Sequence, residues 1–307
     1  MDMQASTIIA GVSDLSDSYE TFILDQWGVL HFGQTAPSFV IDTLTHLRER
    51  GKTAVILSNS GKSASYSRKR LTELGISGDL YTDIVTSGEM VRQGIQSGEG
   101  PVFKNLGQNC LIISNNGDTS TVEGLDLSIV DDPASADFVL LVGCENHTRP
   151  VESYEPLLRA CAAKSLRMIC ANPDMVAVEG DKTFYGPGQI AARYNDFGGV
   201  VHYVGKPHKP IFAWALSRVK EGLPSTTMMV GDSMGHDILG GAAMGFDTCL
   251  TMTGAHAALF NSTGGERDQI NRAVDHMARQ YGVRPTYVVP RFAWGNELPD
   301  RKNKRKS

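Results

Sequence analysis

The sequence repeats one device: a short apolar run that breaks into polar residues, followed by a stretch with helical periodicity. Phe22-Ile23-Leu24 breaks at Asp25, just before Gln26-Trp27-Gly28-Val29. Thr53-Ala54-Val55-Ile56-Leu57 breaks at Ser58-Asn59-Ser60-Gly61, and Val200-Val201-His202-Tyr203-Val204 at Gly205-Lys206-Pro207. Thr227-Met228-Met229-Val230 breaks at Gly231-Asp232 and runs on to Asp237. Unbroken apolar runs of this length suit parallel strands buried on both faces. Ligands of open α/β sheets bind outside the carboxyl ends of such strands. The four breaks therefore predict one polar edge bearing Asp25, Ser58, Asn59, Lys206, Asp232 and Asp237.

Between the runs the period changes. Phe39, Val40, Leu44 and Leu47, behind Pro37-Ser38 and before Gly51, predict a helix over 38–50. Tyr66, Leu71 and Leu74 predict another, which stops at Gly75 and leads to a strand near Asp83–Thr86. Only 33 positions separate Asp25 from Ser58, room for one helix, whereas 147 separate Asn59 from Lys206. The longer interval holds its own alternation: strands at 111–113, 138–142 and 168–171, and a helix carrying Tyr154, Leu157, Leu158 and Cys161. The organisation expected is a core formed by 1–86 and 203–307, interrupted by an α/β module at 87–202. After the interruption, helices carry Ile211 to Val219, Ile238 to Met244 and Ile270 to Tyr281, with strands at 248–250 and 287–289. Residues 1–20 read as a short polar arm.

The totals narrow the function. A net charge of −5 over 307 residues argues against a general nucleic-acid or membrane-surface role, which needs a basic field. The one basic cluster, Arg301–Ser307, reads as a solvated end. No apolar stretch approaches the length of a membrane span, and no leader pattern opens the chain. The five cysteines have no metal-binding spacing and read as buried thiols in a reducing compartment, so a soluble cytoplasmic protein is the expectation. Self-association into a homo-oligomer is left open.

Chemically, the predicted edge has what phosphoryl transfer needs. A carboxylate can attack phosphorus and form an acyl phosphate. Clustered carboxylates suit Mg²⁺, a hard ion that takes oxygen ligands, and a lysine with a hydroxyl can hold the phosphate oxygens. Three carboxylates together repel one another and a phosphate, so a divalent cation is expected to be integral.

On these residues the chain resembles the haloacid dehalogenase superfamily, and within it the NagD-like subfamily of sugar and small-molecule phosphatases. Leu24 to Val29, Leu57 to Ser60, Gly205-Lys206-Pro207 and Gly231-Asp232 through Asp237 stand for its four motifs. Thr86-Ser87-Gly88-Glu89, Ala171-Asn172-Pro173-Asp174 and Leu250-Thr251-Met252-Thr253-Gly254 match the subfamily. The resemblance implies a Rossmann-like three-layer α/β core with a large inserted α/β cap. It implies a Mg²⁺-dependent phosphatase acting on a small phosphorylated metabolite, such as a sugar phosphate, through an aspartyl phosphate. Asp25 would be nucleophile and metal ligand, Asp232 the second metal carboxylate, Asp237 a supporting carboxylate, and Trp27 a metal ligand through its carbonyl. Ser58 and Asn59 would bind the phosphoryl group, Lys206 would neutralise it, and Asn172 and Asp174 would belong to a loop that the cap lowers over the site.

The chain departs from the family pattern at Trp27. Most phosphatases of the family place an acid/base aspartate there, a role an indole cannot fill, and general acid–base catalysis is worth ~10²–10⁴ in rate. Three consequences follow as alternatives. His31, His208 or His236 stands in; or the substrate is an activated acyl or aryl phosphate; or the protein binds a phosphorylated ligand without turning it over.

Overall fold

The computed structural model describes residues 5–179 and 182–295; the basic cluster at 301–307 lies outside them. The chain forms two compact units. One takes the chain up to Ile56, Leu71–Asp83 and the chain from Ala215 on; the other takes Leu57–Arg70 and Ile84–Trp214.

In chain order the strands are β1 (Thr7–Ile8), β2 (Thr21–Asp25), β3 (Thr53–Ser58), β4 (Asp83–Thr86), β5 (Asn109–Ile113), β6 (Ser128–Ile129) and β7 (Phe138–Leu141). There follow β8 (Arg167–Cys170), β9 (Val176–Glu179), β10 (Lys182–Tyr185), β11 (Val200–Tyr203), β12 (Thr227–Gly231), β13 (Asp247–Thr251) and β14 (Tyr287–Val289). A seven-stranded sheet has the order β1-β14-β13-β12-β2-β3-β4, and every pair from β1 across to β2 is parallel. All five residues of both β2 and β12 are buried, as their unbroken apolar runs require. The helix Ser38–Glu49 buries Val40, Leu44 and Leu47 of the apolar face that its spacing predicts, together with Thr43, while Phe39 is only partly buried. The helix Arg267–Tyr281 does the same with Ile270, Ala273, Val274, Met277 and Ala278, and stops at Gly282 in the left-handed region.

The N-terminal segment is more than an arm. Thr7 and Ile8 pair with Tyr287 and Val288, so β1 is an edge strand of the sheet. Two paired residues are too few to leave a periodic signal.

The second unit holds a sheet of order β11-β8-β7-β5-β6, parallel throughout, and an antiparallel hairpin of β9 and β10. Alternate residues feed opposite cores. Leu111, Ile113, Val139, Leu141 and Met168 pack with Leu158, Cys161, Ile190 and Tyr194 from the helices Glu155–Ala163 and Pro187–Asp196. Cys110, Phe138, Leu140 and Ile169 pack on the other face with Val91 of the helix Ser87–Ser97. This is an independent α/β layering of a sheet between helices. All five cysteines are buried and reduced. Burial pushes the Cys110 thiol up to about 12 and those of Cys144 and Cys161 up to about 11, so they stay protonated and inert. Among the described residues, no helix is long and apolar enough to cross a membrane.

Candidate active site

Asp25 is the last residue of β2. Leu24 pairs with Val230, so the next residues, Asp25 and Gly231, lie side by side and Asp232 follows at the same edge. From this pair the sheet grows outward in opposite directions, to β3 beyond β2 and to β13 beyond β12. That is a topological switch point, where the crevice of an open α/β sheet forms. Asp25, Asp232 and Asp237 are all buried, and one oxygen from each lies within 4.8 Å of the others.

Local backbone explains how three carboxylates reach one place. After β12 the chain makes a wide, π-type turn over Met234–Ile238, a widening often found at functional sites. The Ser233 N–H donates to Asp237 Oδ2 at 3.1 Å. Gly231 must lack a side chain here, because a Cβ would overlap the Asp237 side chain. Asp232 is held by the segment after β13: the Ala255 N–H donates to Asp232 Oδ2 at 2.7 Å. Gly254 has φ +62°, and a Cβ on it would overlap that same oxygen. Thr253 Oγ1 donates to the Gly28 carbonyl at 2.7 Å and lies 3.0 Å from Thr251 Oγ1. The Thr251–Ala255 segment thus braces both the turn after Asp25 and the Asp232 carboxylate.

Trp27 is partly buried in that turn, bridged to His31. His31 is buried, with its Nε2 3.2 Å from Gln26 Nε2. His236 Nδ1 lies 3.1 Å from Ser233 Oγ. In the second unit, His208 stacks on Tyr203 with the ring centroids 5.4 Å apart. A further histidine, His256, which no motif in the sequence marks out, accepts the Met234 N–H through its Nε2 at 3.2 Å. Burial holds its imidazole below the ordinary histidine pKa; Asp237 opposes that shift and His236 adds to it. The only signal in the sequence was its position directly after Gly254-Ala255.

The second unit brings together Ser58, Asn59, Lys206 and Asp174. The Lys206 N–H donates to Asn59 Oδ1 at 2.6 Å, and Asn59 Nδ2 donates to the Lys206 carbonyl at 3.2 Å and to Asp174 Oδ1 at 2.8 Å. Ser87 Oγ stands 3.4 Å from both the Ser58 carbonyl and Asn59 Oδ1. Asn172 shapes the loop by accepting the Asp174 N–H at 3.0 Å through its Oδ1. Lys206 is 3% exposed, a depth at which a charged ammonium is costly unless it is paired.

The carboxylates test the expectation of a metal. Three buried carboxylates within 4.8 Å are mutually repulsive in a medium that screens poorly. An all-oxygen set of this kind fits a hard divalent ion such as Mg²⁺.

An open parallel sheet that gathers acidic groups at its switch point defines a Rossmann-like α/β enzyme core. The chain belongs to the haloacid dehalogenase-like hydrolases. The family model for haloacid dehalogenase-like hydrolases matches residues 22–128 and the HAD-hydrolase-like model residues 203–294, together more than half of the chain. Human chronophin is 27% identical over 270 residues, covering 80% of this chain and 85% of chronophin. A haloacid dehalogenase-like hydrolase from Brucella suis 1330 is 27% identical with a TM-score of 0.76, covering 93% of this chain and all of that one. The p-nitrophenyl phosphatase from Archaeoglobus fulgidus is 26% identical with a TM-score of 0.67, covering 90% of this chain and 97% of that one.

Proposed function

We propose that the protein is a Mg²⁺-dependent phosphatase that hydrolyses a small phosphorylated metabolite, a sugar phosphate among the candidates, through an aspartyl phosphate on Asp25. The observation that carries this reading is the convergence of Asp25, Asp232 and Asp237 at the switch point. A carboxylate oxygen of Asp25 attacks phosphorus while the bond to the leaving oxygen breaks; water then attacks the acyl phosphate, releasing phosphate and restoring Asp25. Asp25, Asp232 and the Trp27 carbonyl would hold the metal, with Asp237 in support. Bound Mg²⁺ would supply charge neutralisation for the carboxylates and the phosphate. The Ser58 hydroxyl would bind the phosphoryl oxygens and Lys206 would offset their charge. The segment 87–202 would act as the cap that selects substrate, with Asn172 and Asp174 at its contribution to the site.

Trp27 sharpens the substrate class. With no carboxylic acid two positions after Asp25, leaving groups that depart without a proton, those of aryl and acyl phosphates, are favoured over alkoxides. The test is hydrolysis of p-nitrophenyl phosphate with and without Mg²⁺, beside Asp25→Asn. Turnover that requires the metal and vanishes in the variant is expected, and turnover surviving in Asp25→Asn would overturn the nucleophile assignment. Trp27 also favours a second reading, a protein that binds a phosphorylated ligand without turnover. Inactivity across a broad panel of phosphates, with retained phosphate binding, would select it.

A further inference from the structure

We infer that Asn59 is a positioning residue and not a phosphate ligand: its single carboxamide fixes the backbone of Lys206 and the carboxylate of Asp174 together. A carboxamide has two hydrogens to donate and two lone pairs to accept with. Both hydrogens are spent, one on Asp174 Oδ1 at 2.8 Å and one on the Lys206 carbonyl at 3.2 Å. The oxygen takes the Lys206 N–H at 2.6 Å, with Ser87 Oγ at 3.4 Å over its remaining side. No donor on this side chain is left for a phosphate oxygen.

The geometry around the amide is equally committed. Asn59 is 5% exposed, and a Cβ at Gly205 would lie 2.5 Å from its Oδ1, 2.7 Å from Pro173 Cδ and 2.8 Å from Ser87 Oγ. Glycine at 205 is what lets the Lys206 backbone approach the amide. The Lys206 backbone is gripped at both its N–H and its C=O, an arrangement that fixes the residue's orientation as well as its place. The same amide carries Asp174, whose own N–H is turned back onto Asn172 Oδ1 and whose carbonyl accepts the Gly188 N–H at 2.9 Å. One side chain at the end of β3 therefore sets both the lysine after β11 and the loop after β8. A displacement of Lys206 by an ångström would cost catalysis although Asn59 touches no substrate.

The kinetic part of the test rests on the phosphatase reading; the thermal part does not. Four proteins are compared in the full chain: wild type, N59D, D174N and N59D/D174N. N59D keeps an acceptor for the Lys206 N–H but sets a carboxylate against Asp174 and the Lys206 carbonyl. D174N keeps an acceptor for Asn59 Nδ2, and in the double variant the amide at 174 can donate to the carboxylate at 59. The expected result is a lowered melting temperature and a roughly 100-fold loss of kcat/KM on p-nitrophenyl phosphate in N59D. D174N should melt near wild type, and the double variant should regain melting temperature and about tenfold in kcat/KM over N59D. A phosphate ligand at position 59 predicts the opposite kinetics, since a second substitution at 174 cannot remove the carboxylate from the phosphate. Restored melting with unrestored kcat/KM would thus overturn the inference, as would melting temperatures that show no coupling between the two sites. If wild type itself turns nothing over, the phosphatase reading fails, and the thermal cycle alone still accepts or rejects the strut.

Discussion

The two polar constellations are built on opposite principles. Around Asp25, Asp232 and Asp237 the fold accumulates like charge, burying three carboxylates within 4.8 Å of one another. Around Asn59 it builds with a neutral group, giving the amide a partner at each hydrogen-bonding position. Buried carboxylates gathered this closely make a place for a cation and for chemistry. A saturated amide makes a rigid support. Residues of the first kind are expected to fail in turnover or metal binding, and residues of the second kind in alignment.

The largest effect should come from the first constellation. Asp25→Asn removes the attacking oxygen's charge and should lower kcat by about 10³-fold or more while the protein stays folded, checked by steady-state assay beside circular dichroism. A small effect would break the comparison, because it would make the acidic cluster as structural as the amide. Next comes Trp27→Asp, which puts a proton carrier where the indole stands and should raise turnover of alkyl phosphates by about 10²-fold. Lower turnover with unchanged Mg²⁺ affinity would show that the indole acts on the substrate itself, for instance by stacking.

These two predictions concern residues that were legible in the sequence, and physics explains why. Asp25 and Asp232 end unbroken apolar runs, and a parallel sheet brings the ends of adjacent buried strands to one edge whatever the loops do. Strands β5, β7 and β8 were legible by the same signal, whereas β11, read as a strand of the first sheet, pairs instead with β8 in the second. Asn59 was visible as a polar residue at a strand end, but its work was not. Two of its partners are the N–H and C=O of Lys206, 147 positions away, and backbone groups carry no sequence signature. His256 escaped because its ring accepts a main-chain N–H 22 positions away. The hairpin of β9 and β10 escaped because its short strands are neither unbroken apolar runs nor long enough to show alternation.

Thr253 and Gly254 lay between these cases, noticed as a resemblance and explained only by the contacts they make, Thr253 with the Gly28 carbonyl and Gly254 with Asp232. Gly254→Ala tests that brace. A side chain at φ +62° costs about 1–3 kcal/mol, and its Cβ would press on the oxygen that Ala255 holds. Mg²⁺ affinity by titration calorimetry should fall about 10–100-fold, the usual result of disturbing a ligand's support. Unchanged affinity would place Asp232 outside the metal site and leave the acidic cluster without its second ligand.

The smallest effect should be a slope. His256 borders the acidic cluster, and burial holds its imidazole below the ordinary histidine pKa, so the folded protein keeps it neutral where the unfolded chain would protonate it. The unfolded state then binds more protons between the lowered folded pKa and the unperturbed value of about 6.5. Stability from this group is complete above about 6.5 and is lost as pH falls toward the folded value. His256→Gln keeps an acceptor for the Met234 N–H and removes the titration. Melting curves recorded in chelator should show wild type losing melting temperature on acidification faster than the variant, with the two profiles parallel above neutral pH. Parallel profiles throughout would mean that Asp237 offsets the burial of the imidazole, placing His256 with the carboxylates as part of a charged cluster. A steeper wild-type profile places it instead with Asn59, as a neutral hydrogen-bonding support for the turn that carries Asp237.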